Sequence, residues 1–215
     1  QDQYPLMEPY NKNRPPFKPI ILAHPYGKPG ISYNLRTQLI DPDGDSIYCM
    51  WDWGDDSYSA WLGPYESGTY LSKAHSWSNG IYEIRVKAKD SYGDESNWSD
   101  PFVLTIEDKQ PIVSITKPDK ALYIMNRKIL PRLFRKTLIL GKIDIIVDCM
   151  DESGIKKVEF YIDNELRSTV ANRLYVYTWE REKISLFEHT HTIKVVAFDN
   201  AGNRAREEIE VRKFL

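Results

Sequence analysis

Apolar and polar residues exchange sides at nearly every step along this chain. In "GISYNLRTQLID", Ile31, Tyr33, Leu35, Thr37 and Leu39 face one way, with mainly polar residues between them. "GIYEIRVKAKD" sets Tyr82, Ile84, Val86 and Ala88 against Glu83, Arg85, Lys87 and Lys89, and "PFVLTIED" places Phe102, Leu104 and Ile106 together. A period of two is the pattern of a half-buried strand. Turns bearing Gly and Pro separate the runs, as in a sandwich of short strands. After "DKQP" the pattern resumes through Ile143, Ile145, Val147 and Cys149, then Val158, Phe160 and Ile162. It continues through Ile193, Val195 and Ala197 and closes with Ile209 and Val211. Asp163-Asn164 predicts a two-residue hairpin turn. The basic, apolar stretch "ALYIMNRKILPRLFRKTLILGK" reads as two short strands around a loop at Pro131. No stretch carries a convincing helical period. The expectation is all-β: a Pro-rich tail or linker over 1–17, one sandwich over 18–108 and a second over 109–215.

Both halves finish alike, with a long alternating strand, an acidic turn ("KDSYGDES", "FDNAGN") and a closing strand. That parallel predicts two copies of one architecture. Residues 18–107 resemble a PKD-type domain, a β-sandwich of immunoglobulin-like form. The motifs that carry this are "DPDGDSIYCMWDWGD", "WLGPYESG", "HSW", "GIYEIRVKAKDSYGDES" and "WSDPFVLTI". Their wording is especially similar to modules of secreted and surface proteins of archaea. Residues 111–213 are similar to a bacterial Ig-like domain through "SGIKKVEFYIDNEL", "YTWE", "HTIKVVAFDNAGN" and "EIEV". One departure stands out: where the first family usually writes "GDG", this chain has "GDD". Asp56 then replaces a glycine at a position that can call for positive φ, which Asp tolerates less well.

At 215 residues the chain has room for two domains of ordinary size, each able to bury a core without a disulfide or metal. No apolar run is long enough to span a bilayer, and no export signal opens the chain, so any signal peptide is expected to have been removed. Residues 1–108 carry 9 Lys/Arg against 16 Asp/Glu, or −7, and residues 109–215 carry 20 against 15, or +5. The aromatic-rich half is the acidic one, which argues against nucleic acid. An acidic module followed by a basic one could let copies dock head to tail; two independently solvated surfaces are the blander reading. Cys49 and Cys149 are expected to be buried free thiols in separate cores, too far apart for a disulfide.

The run Asp41–Asp45, "DPDGD", and the loop after the penultimate strand of the first sandwich should emerge at the same end. Asp41, Asp43, Asp45, Asp90 and Asp94 could then converge, and a calcium ion would relieve their repulsion. The leading alternative needs no metal, because Asp side chains accept backbone N–H groups two residues on and build good turns. A thinner echo in the second half comprises Asp148, Asp151, Asp199 and Asn203. Aspartates in exposed turns lack the burial that raises the pKa of a glycosidase acid. None of His24, His75, His189 and His191 sits in a nucleophile or zinc motif, and His75 reads as structural. Tyr58, Trp61, Tyr65 and Tyr70 lie in turn-rich sequence where rings could stack on sugars or anchor a protein. The competing reading is a loop folded back over the sandwich edge. Asn97-Trp98-Ser99 is a formal N-glycosylation acceptor at Asn97.

The family resemblances imply an extracellular or cell-surface, non-enzymatic structural or adhesion module. Its partners would be protein or polysaccharide at the cell surface, or further copies of itself. The alternative is a carbohydrate-binding or accessory module of a secreted hydrolase.

Overall fold

The computed structural model describes residues 13–131, 136–180 and 189–214. Those residues are strands and turns without a helix. The chain divides into two compact units, Gln1–Glu107 and Asp108–Leu215.

The first unit holds β1 (Ile21–Leu22), β2 (Tyr26–Gly27), β3 (Ser32–Gln38) and β4 (Ile47–Asp52). β5 (Leu62–Tyr65), β6 (Tyr70–Ser76), β7 (Gly80–Asp90) and β8 (Phe102–Ile106) follow. They form a three-stranded sheet, β1-β3-β6, and a five-stranded sheet, β2-β8-β7-β4-β5. The alternating residues of both sheets meet in one core, where Leu35, Ile47, Cys49, Trp51, Ile84, Val86 and Leu104 are essentially excluded from solvent. Trp53 stacks between Trp51 at 5.2 Å and His75 at 4.5 Å, and Trp77 closes the cluster edge-on. Gly54, with φ of 73°, turns the chain after Trp53; a Cβ there would lie 2.7 Å from the Glu83 carbonyl oxygen. Asp56 does adopt positive φ, at 66°.

The second unit repeats the plan with an addition. β9 (Ile112–Lys117), β13 (Ile143–Met150) and β16 (Tyr175–Trp179) make the sheet β16-β13-β9. β10 (Ala121–Ile124), β11 (Arg127–Pro131), β12 (Thr137–Leu140), β14 (Ile155–Ile162), β15 (Glu165–Val170), β17 (His189–Asp199) and β18 (Arg204–Phe214) make a seven-stranded sheet, β11-β10-β12-β18-β17-β14-β15. Phe160, Ile145, Ile162, Ile193 and Val195 fill the core. A short strand runs parallel to the closing strand in both units, β2 on β8 and β12 on β18.

Two expectations need correction. The stretch from Ala121 to Lys142 contains three strands, not two. Met125 and Asn126, both at positive φ, form a two-residue hairpin turn that no glycine announces, and Pro131 ends β11. Cys149 holds the inward phase but lies at the end of its sheet, so it is only half-buried. Burial pushes its thiol up to about 11 and that of the fully buried Cys49 to about 12. The Asp163-Asn164 turn forms as expected, with φ of 52° and 68°.

Candidate functional site

β3 leads into Asp41, which is 5% exposed. Its Oδ1 accepts the N–H groups of Asp43 at 2.8 Å and Asp45 at 3.1 Å, so the side chain organises the whole "DPDGD" loop. Asp90, at the end of β7 and 1% exposed, does the same for the N–H groups of Tyr92 and Asp94, both at 2.9 Å. The two loops meet because β4 and β7 pair with Ile47 opposite Asp90, which sets Asp45 beside that carboxylate. Carboxylate oxygens of Asp41, Asp43 and Asp45 lie within 4.8 Å of one another. Lost hydration pushes the Asp45 carboxyl up, and the charges of Asp41, Asp43 and Asp90 add to that.

Two residues that sequence reading assigned to the tail complete this end of the unit. Asn13 Nδ2 donates to Asp90 Oδ2 at 2.8 Å and to Asp94 Oδ2 at 2.7 Å. Arg14 donates from its backbone N–H, Nε and Nη2 to Asp43 and holds that carboxyl below its usual range. The Phe17 N–H donates to the Ile40 carbonyl. Only the "NKNRPP" polarity hinted at such a role, and polarity alone does not name a partner. One acceptor is left over at this end: Asp41 Oδ2 is buried and has no hydrogen-bond donor among the described residues. Buried polar atoms are rarely left in that state. All five aspartates expected at this site therefore stand at one end of the unit, with Asp43 neutralised by Arg14. The donor set is hard oxygen only, which suits calcium rather than a softer metal.

The second unit rebuilds one of these loops. The Asp199 N–H donates to the Asn203 carbonyl and its Oδ1 accepts the Asn203 N–H at 2.7 Å, as Asp90 and Asp94 do. Asp199 Oδ2 is buried without a donor, and Asp151 Oδ1 caps Ser153. Asp148 lies on the outward phase of β13.

The four candidate ring residues do not form one platform. Tyr65 is on β5 and Tyr70 on β6, in different sheets. Lys89 Nζ sits 4.2 Å from the Trp61 ring centre and Lys87 Nζ 5.3 Å away, while Arg36 covers Tyr70 at 4.2 Å. Lys87 also lies over Trp98 and pairs with Glu95 at 2.5 Å. Tyr58 and Tyr70 are exposed, at 61% and 52%. Asn97 is exposed, but Ser99 of its acceptor sequence is 4% exposed, with Oγ accepting the Val86 N–H and donating to the Asp100 carbonyl.

Two Asp–His pairs could suggest proton transfer. His75 Nε2 lies 2.8 Å from Asp55 Oδ2, and His191 Nδ1 lies 2.6 Å from Asp163 Oδ2. Partial burial pushes the Asp55 carboxyl up, but hydrogen bonds from Ser57 and His75 outweigh it and hold it below its usual range. Each pair ties a turn to a tryptophan, Trp53 or Trp179.

A family model described as Bacterial Ig domain matches residues 135–195. Among solved structures, the chain is similar to the PKD domain of an M14-like peptidase from a Thermoplasmatales archaeon, 36% identical, covering 44% of this chain and 98% of that one, with a TM-score of 0.43. It is also similar to the fibronectin(III)-like modules of CbhA from Clostridium thermocellum, 18% identical, covering 92% of this chain and 93% of that one, with a TM-score of 0.52. No curated protein matches the chain. The family model is consistent with a bacterial Ig-like domain in the second unit, a kind of module that is typically extracellular, and the likeness to the fibronectin(III)-like modules shows the β-sandwich fold.

Proposed function

We propose that the chain is a non-enzymatic structural or adhesion module acting outside the cell or on its surface. The observation that carries this reading is how the chemically capable side chains are used. Asp41, Asp90 and Asp199 each cap backbone N–H groups in turns, and His75 and His191 brace tryptophans. Rigid turns and closed cores suit a load-bearing spacer, and its rims and sheet faces remain for partners. The test is binding of the labelled chain to isolated cell envelopes, run beside hydrolysis assays on peptide and polysaccharide substrates. Saturable binding without turnover is expected. Turnover of a substrate, or a chain that stays in the unbound fraction, would sink the reading. A glycan-array signal lost in Trp61→Ala would transfer support to carbohydrate recognition.

In the same reading, calcium sits against Asp41 and Asp45, with Asp41 Oδ2 as the acceptor that awaits it. Ligand binding to the folded state alone raises the melting temperature by mass action. Millimolar calcium should therefore raise the melting temperature of the wild-type chain and leave that of Asp41→Asn unchanged. Equal melting curves with calcium and with a chelator would remove the ion.

A further inference from the structure

Alternation requires the outer face of the seven-stranded sheet to be polar, and at one end it is not. With Ala121, Tyr123, Ile139 and Val211 buried in the core, the intervening residues point outward. Register aligns Leu130, Leu122 and Leu138 in one outward row. Ile124, Leu140 and Phe214 form the next. β10 and β12 are thus apolar on both sides, the pattern of strands covered on both faces. Yet Ile124 and Leu130 are each about 40% exposed, at 40% and 41%.

The other end of the same outer face is basic. Arg204 and Arg206 project from β18 beside Phe198 and Val196 of β17. Arg204 has no ion pair among the described residues, and Arg206 reaches Glu208 only at 3.9 Å. Lys157 lies over Phe198 and Lys194 over Tyr161, each at 4.5 Å, around a depression of about 590 Å³. Both rings therefore carry a cation on one side, which leaves little ring face for a neutral sugar. The one carboxylate within the depression, Glu159, is engaged by Lys157 and Tyr161.

The apolar and cationic fields share one face, with exposed Glu208 and Glu210 of β18 between them. That anatomy suits a protein partner that is acidic where it meets the arginines and aliphatic or aromatic where it meets β10 and β12. We propose that this face docks the acidic N-terminal unit of a second copy of the chain. Charge complementarity supports that choice, because residues 1–108 carry −7 and residues 109–215 carry +5. Exposed Ile81 and Val103, neighbours with Glu83 on the outward phase of β7 and β8, supply apolar contacts on the acidic unit. The area suffices: seven strands at about 4.8 Å spacing span about 30 Å. That is room for the roughly 800 Å² per partner of a standard interface. Because different surfaces meet, the contact is heterologous and propagates into a ring or an open string. The inference rests on the structural role proposed above and names its partner.

Sedimentation velocity of the full chain, over rising concentration at low and high salt, tests it. Mass should grow with concentration at low salt and shrink at high salt. The exposed-residue variant Arg204→Glu/Arg206→Glu, and separately Ile124→Asp, should weaken association at least about tenfold while keeping the wild-type melting curve. A chain monomeric in every condition, or association indifferent to both variants, overturns the proposal. Capture of polyglutamate or an acidic polysaccharide by a chain that stays monomeric overturns it as well, assigning the face to another partner. Envelope binding by a monomeric chain would remove only the partner and leave the structural role standing.

Discussion

The two units share a plan and differ in what they do with their ends and faces. The first concentrates aromatic rings and aspartates, closing one end with Asp41, Asp90, Asn13 and Arg14. The second keeps only one copy of that loop, at Asp199, and adds the β10–β11 hairpin, which widens a sheet and leaves one end of its outer face apolar. A common sandwich is thus specialised in two places: at a rim by carboxylates, and on a sheet face by additional strands. The core is what stays constant, since sheet-on-sheet packing constrains it most.

The largest effects should test that shared core. Trp53→Ala and Phe160→Ala each open a cavity around a ring held in an aromatic cluster. Each should cost about 3–5 kcal/mol, read as a lowered transition in chemical or thermal unfolding. Similar losses in the two units would support equivalence, and a Trp53→Ala variant as stable as wild type would break it. Next come the repeated loops. Asp90→Ala and Asp199→Ala remove the same charge-assisted cap and should cost about 2 kcal/mol each. The Asp90 variant should lose more, because Asn13 is anchored there as well.

Acid should separate the units further. In the first, Asp43 and Asp55 sit below their usual range, while Asp45 sits above it. In the second, Asp119, Asp144, Glu159 and Asp163 are all depressed. For Asp119 the main cause is a hydrogen bond from Lys128. For the other three, hydrogen-bond donors outweigh partial burial that acts the other way. A depressed carboxyl contributes stability above its unfolded pKa and loses it as pH falls through the folded value. The second unit should therefore weaken more steeply below about pH 4. Protonation of Asp45 partly offsets the loss in the first. A pH series of unfolding curves with unit-specific tryptophan probes checks this. The smallest effects concern backbone strain. Asp56→Gly in the first unit and Leu174→Gly in the second, where Leu174 has φ of 82° and is 86% exposed, should each gain about 0.5–1 kcal/mol.

The strands were legible wherever one face was wet. Leu35, Ile84, Val86, Phe160 and Val195 all fall inward as their alternation requires. The β10–β12 region was misread for a physical reason. With apolar side chains on both phases there is no period to follow, and Met125-Asn126 turns without glycine or proline. The convergence of the aspartates could be anticipated from loop positions along the sandwich. Asn13 and Arg14 could not, because their partners lie far away in sequence. Nor could the lysine cover over Trp61, which depends on Lys87 and Lys89 reaching across from β7, with β4 between it and β5.

The position of Ser99 has a consequence for timing. Its hydroxyl is tied to β7 as soon as the segment 96–100 closes over that strand, so an oligosaccharide transferase arriving later finds Asn97 in the open and its helper hydroxyl out of reach. Any sugar on Asn97 is accordingly a mark left on the nascent chain, written before the first unit shuts.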